Sequence, residues 1–218
     1  SATSDDGWTP LHFVCNNKNA TLNIIQLLID AAPDSVRIVN NKGNMPLHIL
    51  CYNDKLDNIT AIQILKLLVE KYLPVIRHAN NNGLLPIHLA SGNRSPEFCR
   101  VLIEAYPGSE RITDVKGGLP LHCACFSNTA TTVEYFYKLY PDAINHASAD
   151  GSHPIHVAIT GTKHRNKPAT AVKIVQFLLD CDRSVKLQKC QGRSLLYLAS
   201  VREYNDSNIE AGIRMIKM

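Results

Sequence analysis

One short pattern returns five times along the chain. Gly-x-x-Pro-(Leu/Ile)-His stands at GWTPLH (7–12), GNMPLH (43–48), GLLPIH (83–88), GGLPLH (117–122) and GSHPIH (151–156). A worn sixth copy, GRSLLY (192–197), keeps the glycine but carries Leu195 for the proline and Tyr197 for the histidine. Counting Tyr197 as the sixth, the intervals between the histidines are 36, 40, 34, 34 and 41 residues. Such a period marks a stacked array, because one unit of this size cannot bury its own apolar face. It also settles how the histidines are read. A catalytic histidine is needed once, whereas His12, His48, His88, His122 and His156 recur at one station and are expected to be structural.

Within each unit the order is constant. The glycine follows turn formers (NNKG, NNNG, DVKG, SADG, KCQG), as a hairpin tip with positive φ requires. The proline suits the first turn of a helix, where its missing N–H costs nothing. A short helix such as PLHILC or PIHLAS follows, then a polar loop, then a second helix with apolar residues at helical spacing, for example Ile64, Leu65, Leu67 and Leu68. SPE (95–97) reads as an N-cap, a proline at the first position and an acid in the first turn. TTVE (131–134) and SNIE (207–210) match capping boxes. Pro33, Pro74, Pro107 and Pro141 stand where the second helix must stop.

Hairpin tip, short helix, loop and longer helix, repeated about every 34 residues, resembles the ankyrin repeat over nearly the whole chain. The resemblance implies an all-α solenoid, an array of helix-loop-helix units joined by hairpin-like tips. It implies one domain of about six repeats, at 1–40, 41–80, 81–114, 115–148, 149–189 and 190–218. It also implies that each motif histidine hydrogen-bonds within and between neighbouring repeats. Three departures stand out. The threonine usual before the proline survives only as Thr9, and each lost hydroxyl cap costs ~1 kcal/mol. The glycine usual after the second helix gives way to the proline stop, a variant that looks like a divergent eukaryotic subfamily. Extra length is expected between the two helices of a repeat, chiefly YNDKLDN (52–58) and TGTKHRNKPAT (160–170).

Partners of this family lie against the tips and the exposed side of the inner helices, in a concave groove. Carried over residue by residue, the expected partner-binding positions are Trp8, Asn41, Lys42, Asn44, Tyr52, Asn82, Leu84, Asn93, Lys116, Phe126, Asp150, Ser152 and Arg193. Asn53 and Asn16, at inner-helix ends, belong to the same set. Trp8 has two readings of equal weight, an anchor for a partner or a cover for the end of the first repeat. The asparagines of NNN (80–82) are read as turn chemistry, since Asn tolerates tip geometry.

No enzyme signature stands up. The chain lacks a Gly-rich phosphate loop, a paired-carboxylate motif and zinc-type spacing, so no cofactor and no metal are expected. LHCAC (121–125) puts Cys125 on the His122 side of a helix and turns Cys123 away, which reads as core. Seven cysteines in no disulfide spacing point to a reduced, cytoplasmic setting, with the nucleus as alternative. No apolar run is long enough to span a bilayer and no signal peptide opens the chain, so no membrane is expected. The start without Met and the stop inside a hydrophobic stretch suggest a piece of something longer.

The expected function is a non-catalytic scaffold that binds another protein in its groove. Two alternatives stay open. One is the regulatory arm of a larger enzyme or transport protein. The other is nucleic-acid or acidic-surface binding by the C-terminal third. Residues 161–218 carry 11 Lys+Arg against 5 Asp+Glu, including KHRNK (163–167), although a merely solvated basic surface is the plainer reading and nucleic acid is not the expected partner. The sixth copy offers Ile209, Ile213, Met215 and Ile216 with no successor, which leaves homo-oligomerisation through an uncapped end open.

Overall fold

A computed structural model describes residues 3–127, 129–161 and 168–200. The SNIE box, the KHRNK loop and the apolar residues from Ile209 onward lie outside them. The described helices come in pairs: α1 (Pro10–Cys15) with α2 (Leu22–Ala31), α3 (Pro46–Tyr52) with α4 (Asn58–Lys71), and α5 (Pro86–Asn93) with α6 (Pro96–Ala105). They continue with α7 (Pro120–Ser127) and α8 (Ala130–Leu139), then α9 (Pro154–Thr160) and α10 (Pro168–Cys181), and close on the short α11 (Leu195–Ser200). Contacts group the chain into two compact units, Ser1–Ser109 and Glu110–Met218. In the first, the inner helices α1, α3 and α5 stack in order and the outer helices α2, α4 and α6 run beside them. In the second, α7, α9 and α11 stack with α8 and α10 alongside. Each layer buries the apolar face of the last, through residues such as Leu47, Leu50, Ile64, Leu65 and Leu68.

The inner helices α1, α3, α5, α7 and α9 each begin at the proline of their motif, and α11 begins at Leu195, which stands in its place. No side chain replaces the threonine hydroxyl at Met45, Leu85 or His153, but the bond that His12 makes beside Thr9 is kept there by the motif histidine. Its Nδ1 accepts the backbone N–H of the capping residue, from Met45 (3.2 Å), Leu85 (3.1 Å), Leu119 (3.2 Å) and His153 (3.0 Å). With Nδ1 an acceptor, Nε2 carries the proton and donates to the next repeat: His12 to Asn44 O (2.9 Å), His48 to Leu84 O (3.2 Å), His122 to Ser152 O (3.2 Å). One ring therefore caps its own helix and ties it to the following tip.

The outer helices stop as the prolines demand, but the prolines also do something the sequence reading omitted. They open short 3-10 turns at Pro33–Arg37, Leu73–Arg77 and Pro141–Asn145. Two such turns, Leu73–Arg77 and the shorter Ser109–Arg111, aim an arginine at the tyrosine that ends the next outer helix. Arg77 lies 4.8 Å over the Tyr106 ring in the first unit, and Arg111 lies 4.7 Å over Tyr140 in the second. The tyrosine ahead of the proline stop thus supplies a rung between repeats, worth roughly 0.5–1 kcal/mol at an exposed site. Ser95 caps α6 as expected, its Oγ accepting from Phe98 N. The expected box at 131–134 is not used. Thr129 is the N-cap of α8, accepting from Thr132 N at 3.4 Å, and Thr131 is already helical.

The first insertion lengthens both the connection and the helix after it. Residues 53–57 link α3 to α4, against two residues between α5 and α6, and α4 runs 14 residues against 10 in α6. The loop is stitched down. Asn53, expected at the surface, is buried and donates through Nδ2 to Cys15 O (3.0 Å) and Asn17 O (3.3 Å). Arg94 is also buried. Its guanidinium donates to Leu50 O twice (3.1 and 2.7 Å) and to Leu56 O (2.9 Å), and stands over the Phe98 ring.

Candidate functional site

The tips share one backbone scheme. The residue three before the glycine folds its side chain back onto two amides: Asn40 Oδ1 accepts Lys42 N and Asn44 N, Asn80 Oδ1 accepts Asn82 N and Leu84 N, and Asp114 Oδ1 accepts Lys116 N and Gly118 N, all between 2.8 and 3.0 Å. Neighbouring tips then join. Asn41 N donates to Asp6 O (3.1 Å) and Asn81 N to Lys42 O (3.1 Å) in the first unit, as Ala149 N does to Lys116 O (2.7 Å) in the second.

In the first unit the tips and the inner helices α1, α3 and α5 enclose a hollow of about 770 Å³. Eight of the expected groove residues line it: Trp8, Asn16, Asn41, Lys42, Asn44, Tyr52, Asn82 and Leu84. Phe13, Ile49 and Leu89 line it too. These three follow the motif histidine directly, a station the sequence reading passed over, and its signal was an apolar residue at that place in LHF, LHI and IHL. Trp8 packs its ring against Phe13 (5.2 Å between centroids) and His12 (5.9 Å). Tyr52 is 62% exposed at the end of α3 and Phe13 is 55% exposed, so both present ring to the hollow rather than to the core.

Not every expected residue is equally free. Asn44 accepts Asn80 Nδ2 on its Oδ1 (2.8 Å) and His12 on its carbonyl, so it serves the tip. Asn93 turns back on its own helix, donating to Leu89 O (2.7 Å). In the second unit Asp150 accepts from Ser148 Oγ and Ser152 N, and the Ser148 hydroxyl first of all holds its carboxyl below the usual range. Ser152 receives His122 on its carbonyl, and Arg193 lies over the Tyr197 ring. Lys116 and Phe126 remain exposed.

Burial lowers the His48 and His122 pKa values to about 4 and pushes the Cys15 and Cys123 thiols up to about 12, so the imidazoles stay uncharged and the thiols stay protonated. Among the described residues no group of His, Cys, Asp and Glu could hold a metal ion, and no helix is long and apolar enough to cross a membrane.

Comparison with known proteins agrees with this geometry. A family model described as ankyrin repeats, in three copies, matches residues 1–75 and 58–147, more than half of the chain. The chain belongs to the ankyrin repeat family. Arrays of this family generally mediate binding between proteins. No curated protein matches. Among the solved structures that match is one from Bdellovibrio bacteriovorus, the predatory endopeptidase Bd0816 in complex with the immunity protein Bd3460. It is similar at 20% identity and a TM-score of 0.66, over 99% of each chain, a likeness of fold.

Proposed function

We propose that the chain is a non-catalytic binding scaffold and that the hollow of the first unit holds a segment of a partner protein. The observation that carries this is the convergence of Trp8, Phe13, Tyr52, Leu84 and Leu89, drawn from three repeats, on one concave space. Aromatic anchors ringed by polar groups are the composition of a binding hot spot. The setting is proposed as intracellular, with no cofactor. Hydrogen-bonding capacity around the rim favours a partner segment in extended form. The Trp8 indole N–H, the Tyr52 hydroxyl and the Asn16 and Asn82 carboxamides all lack partners among the described residues, and an extended backbone would supply them.

Affinity capture from lysate of the source cell tests the reading, with the Tyr52→Ala/Leu84→Ala variant run beside the wild type at matched thermal stability. Capture by the wild type that the variant loses is the expected result. Equal capture by both would move the site away from the hollow.

A further inference from the structure

One end of the hollow differs from the rest in charge, and we infer that it takes a positively charged side chain, a guanidinium or an ammonium, from the partner. The inference rests on the groove reading above and specifies its chemistry. Asp5 and Asp6 stand in the exposed turn ahead of α1. Their backbone carbonyls are committed, Asp5 O to Asn41 Nδ2 (3.0 Å) and Asp6 O to Asn41 N (3.1 Å), which fixes the turn against the next tip. Their carboxylates are not committed. The ion pairs among the described residues are Arg37–Asp34, Arg100–Glu104, Arg111–Glu110 and Lys138–Glu134.

The tilted pair of Trp8 and Phe13 lines the same hollow as Asp6, which precedes Trp8 by two residues in the chain. Cations of the chain lie over Tyr106, Phe98, Tyr140 and Tyr197, and among the described residues none lies over Trp8 or Phe13. A carboxylate and a partly exposed aromatic pair in one hollow are together complementary to a cation, since the ring quadrupole and the acid attract the same charge. An apolar side chain placed there would leave the acid unused, and the aliphatic floor of Ile49, Leu84 and Leu89 suits it better. Lys42 lines the hollow from the second tip and gives the site a polarity, with the partner's positive group at the first tip and acceptors or an acid at the second.

The test uses a random dodecapeptide library selected on the whole chain. Selected peptides should share an arginine or lysine. Replacing an arginine by its neutral isostere citrulline should weaken binding to the wild type about tenfold, the combined size of one cation–π contact and one exposed ion pair. The same replacement should change binding to Asp6→Asn or Phe13→Leu much less. Both variants alter exposed side chains, so their folding is checked by the same melting curve as the wild type. Peptides that bind in the hollow, as judged by loss with Leu84→Ala, but share no cation or tolerate citrulline would overturn this inference and leave the groove reading standing. Peptides indifferent to Leu84→Ala, Tyr52→Ala and Phe13→Leu, or no selected peptides at all, would overturn both.

Discussion

The tips of the two units follow one backbone template with different side chains. In the first unit the residue two before the glycine is asparagine at both interior tips, and its carboxamide makes a second rung: Asn41 Nδ2 to Asp5 O (3.0 Å) and Asn81 Nδ2 to Asn41 O (3.1 Å). In the second unit the same station holds Val115, Ala149 and Cys190; there Ala149 N donates to Lys116 O, and the side-chain rung among the described residues is the long Cys190 Sγ to Asp150 O contact of 3.7 Å. The first unit also has aromatic rings in its hollow and a buried arginine under its inserted loop. The template therefore fixes the stacking, while side chains at a few stations decide how rigidly a tip is held and what it can bind. The three asparagines of NNN divide two jobs: Asn80 and Asn81 hold the tip, and Asn82 lines the hollow.

The comparison can be broken at its strongest point first. Arg94→Ala removes a buried cation and strips Leu50 O and Leu56 O of their donors, which should cost roughly 4 kcal/mol and loosen residues 52–58. Hydrogen exchange should show the loss of protection in the first unit and not around α8 and α10. A loss spread evenly over both units would mean that Arg94 is not a local clamp.

Acid should act on both units alike. His48 and His122 sit in different units, and burial lowers each pKa from 6.5 to about 4. A base depressed in the folded state is stabilising as long as it stays neutral. The contribution is complete above about pH 6.5 and falls away as the pH drops from 6.5 towards 4, by roughly 3 kcal/mol per histidine at most. Urea midpoints at pH 7, 5.5 and 4.5 would read it. A flat profile would show that these rings are not held neutral.

Glycines at equivalent stations sharpen the contrast. Gly43 has φ 74° and a Cβ there would run into Asn81, whereas at Gly151, with φ 80°, the nearest atom would be 3.8 Å away. Gly43→Ala should cost about 3 kcal/mol and Gly151→Ala about 1 kcal/mol, strain alone. Equal melting temperatures for the two would contradict the closer stacking of the first unit's tips. Smallest of all, Asn81→Ala should cost about 1 kcal/mol through its lost rungs, while Val115→Ala changes little.

Much of this was legible because it is local. Motif proline, capping histidine and helix-stopping proline each act within four residues of themselves, so their spacing in the sequence is their geometry. The Thr129 cap was missed because only Thr131 stands three residues ahead of a glutamate, whereas the cap of the helix lies two residues earlier. Arg94 was invisible because its acceptors lie 38 and 44 residues away. The site was legible in part. Tips and helix ends were placed, but Phe13, Ile49 and Leu89 were passed over because the reading followed the turns rather than the outward face of each inner helix. Asn44 is engaged by Asn80, 36 residues away, whereas Asn93 and Asp150 bond within four residues of themselves, a local possibility that spacing alone does not select.

Trp8 is the chain's only tryptophan and lies in the hollow, so its fluorescence reports on the site without a label. The decisive measurement is iodide quenching of that emission with and without the captured partner. Occupation of the hollow predicts a blue shift and a several-fold fall in quenching, both lost in Leu84→Ala. Binding that leaves the Trp8 spectrum and its quenching unchanged would place the partner elsewhere on the array.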